Sequence, residues 1–285
     1  MSSSTASVDA TNHDQERAWD GPEGSYWAAH HERFEDCLAR YQPPFLAAAA
    51  IRPTDRVLDV GCGTGASTRD AARTARAGHA LGVDLSSRMI DVARRLAARD
   101  GLANASFERA DAQVHDFGAA AFDVVISRTG AMFFGRPEPA FANLHRSLTA
   151  GGRLVLLTWQ PPGRQEWIDA FSRALAGRTP PTADPTRPGP FSLSDPDRVR
   201  TLLRGAGFTD VDLTPLVEPM TYGRTVSQAH DFLIGLFGWM LEGQDERRRA
   251  ESIEALRGVL ESHLTADGVR FGSATWLVTA RRAQH

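Results

Sequence analysis

Residues 56–66 read Arg56-Val57-Leu58-Asp59-Val60-Gly61-Cys62-Gly63-Thr64-Gly65-Ala66, and the order of residue types here decides the fold. The apolar run Val57, Leu58 and Val60 makes a short buried strand. Gly61, Gly63 and Gly65, at alternate positions, make a tight turn, and a helix-compatible stretch from Ala66 to Ala77 follows. Strand, glycine turn and helix form the local geometry in which bare backbone and a helix N-terminus can approach a ligand. Asp59 on the strand and Asp84 downstream make the rim acidic. That suits a cationic, hydroxyl-bearing ligand better than a pyrophosphate.

Outward from this stretch the chain alternates. Strands are expected near 56–60, 80–84, 105–109, 122–127 and 153–159, with helices near 65–77, 86–100 and 137–149 between them. Such alternation implies a parallel sheet covered on both faces, an α/β doubly wound fold. Before it, residues 1–20 are polar and read as a disordered leader, and residues 21–50 read as a helical region broken by Pro43-Pro44. Residues 51–160 form the αβ core. Residues 161–192, rich in proline at Pro161-Pro162, Pro180-Pro181, Pro185, Pro188 and Pro190, read as a surface excursion with one helix, Glu166 to Ala176. Residues 193–285 complete the core with a helix at 195–206, a strand near 209–214, a helical insert over 226–263 and a strand from Gly272 to Arg281.

Several motifs in register resemble the class I S-adenosyl-L-methionine (AdoMet)-dependent methyltransferases. They are Val57-Leu58-Asp59-Val60-Gly61-Cys62-Gly63-Thr64-Gly65, then Gly82-Val83-Asp84-Leu85-Ser86, then Arg109-Ala110-Asp111-Ala112-Gln113. Phe122-Asp123-Val124-Val125-Ile126-Ser127 and Leu148-Thr149-Ala150-Gly151-Gly152-Arg153-Leu154 follow in the same order. The resemblance implies a seven-stranded sheet whose last strand is antiparallel, a helical lid at the N-terminus, and S-adenosyl-L-homocysteine as product. A dinucleotide-binding dehydrogenase is the rival reading, since Gly61-x-Gly63-x-x-Ala66 and Asp84 fit that fingerprint too. The chain has no lysine, all 32 of its Lys+Arg residues being arginine, so a tyrosine–lysine hydride-transfer pair cannot be built. A non-catalytic AdoMet- or nucleotide-binding module is a further alternative.

The resemblance and the chemistry of AdoMet together nominate residues. Asp84 is placed to accept from both ribose hydroxyls; capping the helix that begins near Ser86 is the lesser alternative. Gly61 and Gly63 give backbone access to the amino-acid end, with Asp59 countering its ammonium. Asp111 and Ala112 suit the adenine amino group and ring nitrogen, Met89 offers the ring an apolar face, and Arg128 suits the cofactor carboxylate. Cys62, Gly65, Leu85 and Ser127 complete the expected cofactor set.

Methyl transfer from a sulfonium needs alignment, then removal of a proton where the nucleophile carries one. The base candidates cluster at Tyr26, His30, His31 and Glu35, with His230 apart from them. On one continuous helix Trp27, His31, Glu35 and Leu38 would share a face, which favours His31 oriented by Glu35. Trp27, Phe134, Trp159 and Phe232 would wall an acceptor pocket, pointing to a phenolic or indole-bearing substrate.

Composition sets the remaining bounds. The chain has 285 residues, 42% hydrophobic and 24% charged, with a formal net charge of −3. No basic stripe argues for nucleic acid or an anionic membrane as a partner. Two distant cysteines, Cys37 and Cys62, give neither a disulfide framework nor a metal spacing, in keeping with a cytoplasmic setting and no metal. The apolar run within 229–263 suggests a homodimer surface.

Overall fold

The computed structural model describes residues 7–179, 184 and 186–284. The proline pair at 180–181, Pro185 and residues 1–6 of the expected leader lie outside the described residues. Helices α1 (His13–Trp19), α2 (Pro22–Ala29), α3 (His31–Leu38) and α4 (Gln42–Ala49) precede the core. The core alternates β1 (Arg56–Val60), α5 (Ala66–Thr74), β2 (His79–Asp84), α6 (Ser87–Arg99), β3 (Ala105–Arg109), β4 (Phe122–Arg128), α7 (Pro137–Ser147) and β5 (Leu148–Trp159). Then come α8 (Glu166–Ala176), α9 (Pro196–Gly205), β6 (Thr209–Gly223), α10 (Val226–Phe237), α11 (Glu246–Ser262), β7 (Leu264–Thr265) and β8 (Gly268–Arg281).

The sheet runs β3-β2-β1-β4-β5-β8-β6, with the two-residue β7 paired to β8 off this path. Strands β1 to β5 pair parallel, and β8 lies antiparallel between β5 and β6. The chain order reverses between β1 and β4, and at such a point the turns that leave neighbouring strands diverge and open a crevice. Here the two turns pass unusually close. A Cβ on Gly61 would sit 2.8 Å from Gly130 Cα, so only glycine on glycine permits that approach.

Where the structure departs from the sequence expectation, the cause is local. Residues 10–19 are ordered, as a 3₁₀ turn (Ala10–Asn12) followed by α1. Their polar side chains pair with buried groups of the core, which composition alone does not register. The helical region after them is three helices, interrupted at His30 and again at Ala39–Tyr41. Pro43 and Pro44 start α4, where a missing N–H costs nothing, and do not break a longer helix.

The residues around α8 are not a surface excursion: Trp167, Phe171 and Leu175 are buried in the main core. Strand β6 continues to Gly223, well past the expected end, and carries Pro215 and Pro219. Both prolines are tolerated because β6 is an edge strand, paired on one side only.

Gly65 holds the start of α5 with φ +80°, and a Cβ there would lie 2.6 Å from Phe107 Cε1 and 2.9 Å from Ala93 Cβ. Gly65→Ala is therefore expected to cost about 1–3 kcal/mol through backbone strain and overpacking. Urea unfolding with an unchanged midpoint would contradict this.

Candidate active site

The glycine turn after β1 opens on a cavity of about 740 Å³, lined by the C-terminal ends of the parallel strands and roofed by α1 to α3 and α10. Asp84 lies across its base. One carboxylate oxygen accepts from the Gly63 N–H at 2.8 Å and the other from the Ser86 N–H at 2.9 Å. The β1 and β2 turns are thereby locked to each other, with a lone pair left on each oxygen. Burial raises the Asp84 pKa, and the N–H groups of Ser86, Gly63 and Leu85 oppose that rise. Ser86, not Asp84, caps α6, its hydroxyl accepting from Met89 N.

Asp59 is almost fully buried and accepts from the Thr68 hydroxyl at 2.6 Å. Burial pushes its pKa up to about 6, against the Thr68 hydrogen bond and the charge of Arg128. Arg128 is half-buried on the cavity wall, its own pKa lowered by burial and supported by Glu35, Asp59 and Asp70. Gly63 leaves backbone bare toward the cavity, since a Cβ there would meet only Met89 Sδ, at 3.7 Å.

Asp111 is held by the N-terminal segment. It accepts from Asp9 N and Asn12 Nδ2, each at 2.9 Å, and from Gln113 N at 3.0 Å. Asn12 Oδ1 in turn accepts from Gly135 N. Arg109 pairs with Glu16 and Asp20, and Asp20 also accepts from Ser87 N. Asn12 and Trp19 line the cavity, and their role is missed by a reading that treats the leader as disordered. The available signal was the density of short polar residues (Asp9, Thr11, Asn12, Asp20), which suit caps and cross-links as well as disorder.

The remaining cofactor nominees divide. Cys62, Leu85, Met89 and Ala112 line the cavity. Gly65 and Ser127 are not on its wall: Gly65 packs against Phe107, and the Ser127 hydroxyl is spent on Val60 O (2.6 Å) and Ala131 N (3.0 Å).

Among the base candidates His31 is distinct, because it lines the cavity and its Nδ1 is buried without a hydrogen-bond partner. Glu35 lines the cavity too, but it accepts from Arg69 at 3.3 Å and does not orient His31. Tyr26 donates to Phe232 O at 2.7 Å, and burial pushes its pKa to about 12, so its hydroxyl is a latch between α2 and α10. His30 is exposed outside the cavity, its ring tilted against Tyr26 at 4.2 Å between centroids. His230 is also off the wall, beside Asp231.

The four expected wall residues, Trp27, Phe134, Trp159 and Phe232, all line the cavity. Trp27 stacks on Phe34 with ring centroids 3.5 Å apart, and Trp19 meets Trp27 and Phe133 edge-on at 5.7 and 5.0 Å. Phe34 meets Phe232 at 4.9 Å, while Trp167 connects Trp159 to Phe237 at 6.0 and 6.1 Å. Trp239, 61% exposed, stands on the wall where it meets solvent.

Comparison with known proteins agrees with this geometry. A family model described as a methyltransferase domain matches residues 57–152. A malonyl-[acyl-carrier protein] O-methyltransferase of Brevibacillus brevis is 30% identical over 222 residues, spanning 75% of this chain and 76% of that protein. Nocamycin O-methyltransferase of Saccharothrix syringae is 33% identical over 173 residues, spanning 56% of this chain and 61% of that one. Among solved structures, phosphoethanolamine N-methyltransferase 2 of Haemonchus contortus in complex with AdoMet superposes with a TM-score of 0.58 at 18% identity, over 97% of this chain and 61% of that one. The chain belongs to the class I AdoMet-dependent methyltransferases, and AdoMet is its cofactor.

Deleting residues 1–20 removes the Asn12 and Asp20 cross-links and the Trp19 edge contacts without touching a strand. The shortened chain is expected to keep its far-ultraviolet circular dichroism and cooperative melting, yet bind AdoMet about tenfold or more weakly. Wild-type affinity by calorimetry would show that this segment does not complete the site.

Proposed function

We propose that this chain transfers the methyl group of AdoMet to a small aromatic or heteroaromatic metabolite, phenolic or indole-bearing, with His31 as general base. The observation that carries the reading is the buried, unpartnered His31 Nδ1 on the wall of an aromatic cavity that is continuous with the glycine turn. A buried polar atom without a partner costs about 1–3 kcal/mol, so its retention at that wall favours a partner that arrives with substrate.

The residues present fit the cofactor. Asp84, oriented by two backbone donors, keeps a lone pair on each oxygen for a ribose diol. Asp59 and Arg128 are opposite charges near the bare Gly61-to-Gly63 backbone, matching an ammonium and a carboxylate. Asp111 and Ala112, under the Asn12 roof, suit the adenine edge. When bound, AdoMet supplies a methyl on a sulfonium sulfur, which leaves as the neutral thioether of S-adenosyl-L-homocysteine as the acceptor's lone pair bonds to carbon. His31 Nδ1 takes the acceptor's proton, and the aromatic wall aligns the acceptor and excludes water.

The apolar run 229–241 is accounted for within one chain. Its buried residues join the core and others wall the cavity, so the homodimer expected through 229–263 forms no part of the proposal. No helix of the described residues is long and apolar enough to cross a membrane.

Two predictions test these assignments. His31→Ala is expected to lower kcat by about 10²- to 10⁴-fold with AdoMet affinity nearly unchanged. Undiminished turnover of a purified phenolic or indole acceptor would remove His31 as base.

The second concerns Asp59, whose pKa of about 6 leaves it partly protonated in mildly acidic solution. An ammonium partner favours the carboxylate, so binding releases a proton and affinity falls as pH drops through that value. AdoMet should bind about tenfold more weakly at pH 5 than at pH 7, and Asp59→Asn should flatten the dependence. A pH-independent wild-type affinity would remove Asp59 from the ammonium site.

A further inference from the structure

Charge within the cavity gathers at the cofactor end. Asp59, Asp84 and Asp111 surround the glycine turn, and each already accepts from protein donors. Arg128 is the single arginine on the wall among the described residues, and Glu35, Asp59 and Asp70 offset its charge. Glu35 is held by Arg69, which also pairs with Asp100 at 2.9 Å. Each of these groups is already engaged by a protein donor or an opposite charge, and Glu23, the remaining acid on the wall, is exposed to solvent.

Away from these groups much of the wall is carbon and sulfur, contributed by Cys37, Leu38, Trp167, Met220, Phe232 and Phe237. Two polar side-chain atoms on this part of the wall bear on an acceptor. One is His31 Nδ1, without a partner. The other is the hydroxyl of Tyr222, a residue only 2% exposed, whose one contact is the weak acceptor Met220 Sδ at 3.9 Å. Burial raises the pKa of both Tyr222 and Cys37, which keeps them neutral. A carboxylate or phosphate entering this space loses its hydration without meeting a free cation, and an ammonium meets no buried free carboxylate, since Glu23 is exposed to solvent.

We propose that the acceptor compartment selects an aromatic molecule uncharged at neutral pH, which offers its reacting heteroatom to His31 and a second oxygen to the Tyr222 hydroxyl, and rejects anionic and cationic analogues. The inference rests on the proposed function, since it takes this cavity to hold the methyl acceptor. It adds the charge state of that acceptor and names Tyr222 as a specificity-determining residue.

The test is a series of one shape and three charges: a hydroxynaphthoate, its primary amide and its aminomethyl analogue. Each is titrated by calorimetry at neutral pH into protein saturated with S-adenosyl-L-homocysteine. The amide should bind at least about tenfold more tightly than either ion. Tyr222→Phe should lower amide affinity about fivefold, because a buried hydroxyl that donates to the amide oxygen is lost. Binding of either ion as tight as the amide, or no binding of the amide, overturns the proposal. Wild-type amide affinity in Tyr222→Phe overturns the part given to Tyr222. Failure of S-adenosyl-L-homocysteine itself to bind would count against the proposed function. Charge-blind binding with that product in place counts against this inference alone.

Discussion

The structure depends on one buried carboxylate. Asp84 ends β2, and its two oxygens receive the N–H of Gly63 from the first βα turn and the N–H of Ser86 from the second. Hydrogen bonds to a charged acceptor are roughly twice as strong as neutral ones, and here both are local to the crevice. They fix a turn whose three glycines all have positive φ, a conformation that other residues enter only at a cost. With that turn fixed, α5 starts at Gly65 and Gly61 passes against Gly130 beside the neighbouring strand. The cavity floor is therefore backbone, held by a side chain from the next strand.

Above this floor the cavity has two unlike halves, and the roof is attached differently over each. On the cofactor side the attachment is polar: Asn12 bridges Asp111 and Gly135, Asp20 reaches Ser87 and Arg109, and Glu35 reaches Arg69. On the other side it is aromatic, with Phe34 and Tyr26 packed on Phe232 of α10 and a single latch from the Tyr26 hydroxyl. Polar contacts specify register, while aromatic contacts supply area and exclude water. The division matches the demands of a polar zwitterionic cofactor on one side and of the apolar acceptor proposed above on the other.

Legibility in the sequence followed the same division. Strands β1 and β3 and helix α8 begin and end where the residue pattern placed them, because apolar periodicity and glycine turns are local signals. The Asp59, Gly61, Gly63 and Asp84 cluster was legible for the same reason. The N-terminal segment was not. Asp9, Asn12 and Asp20 earn their places through partners about 67 to 123 residues away, and no local composition encodes such pairings. The outer reach of β6 was hidden by Pro215 and Pro219, which read as breakers until the strand is known to lie at the edge. Periodicity placed His31 and Glu35 on one face, but the better partner for Glu35 was Arg69, reached only through the tertiary fold.

Asp59 shows how such a site carries unfavourable energy before a ligand arrives. Its pKa rises from 3.8 to about 6, and each unit corresponds to about 1.4 kcal/mol. The folded protein therefore bears a cost of about 3 kcal/mol for the ionised group, absent below the unfolded pKa and present once pH exceeds the folded value. Arg128 carries the complementary penalty, since burial lowers its pKa while nearby acids only partly compensate. Both charges border the same stretch of bare glycine backbone. A ligand that is itself a zwitterion relieves both at once, because each of its charges meets the opposite fixed charge and no counterion need enter. A nucleotide phosphate relieves one and aggravates the other. With Asp59 and Arg128 in the roles proposed above, the electrostatics of the site separate an amino-acid-bearing cofactor from a dinucleotide, although the glycine pattern alone admits either.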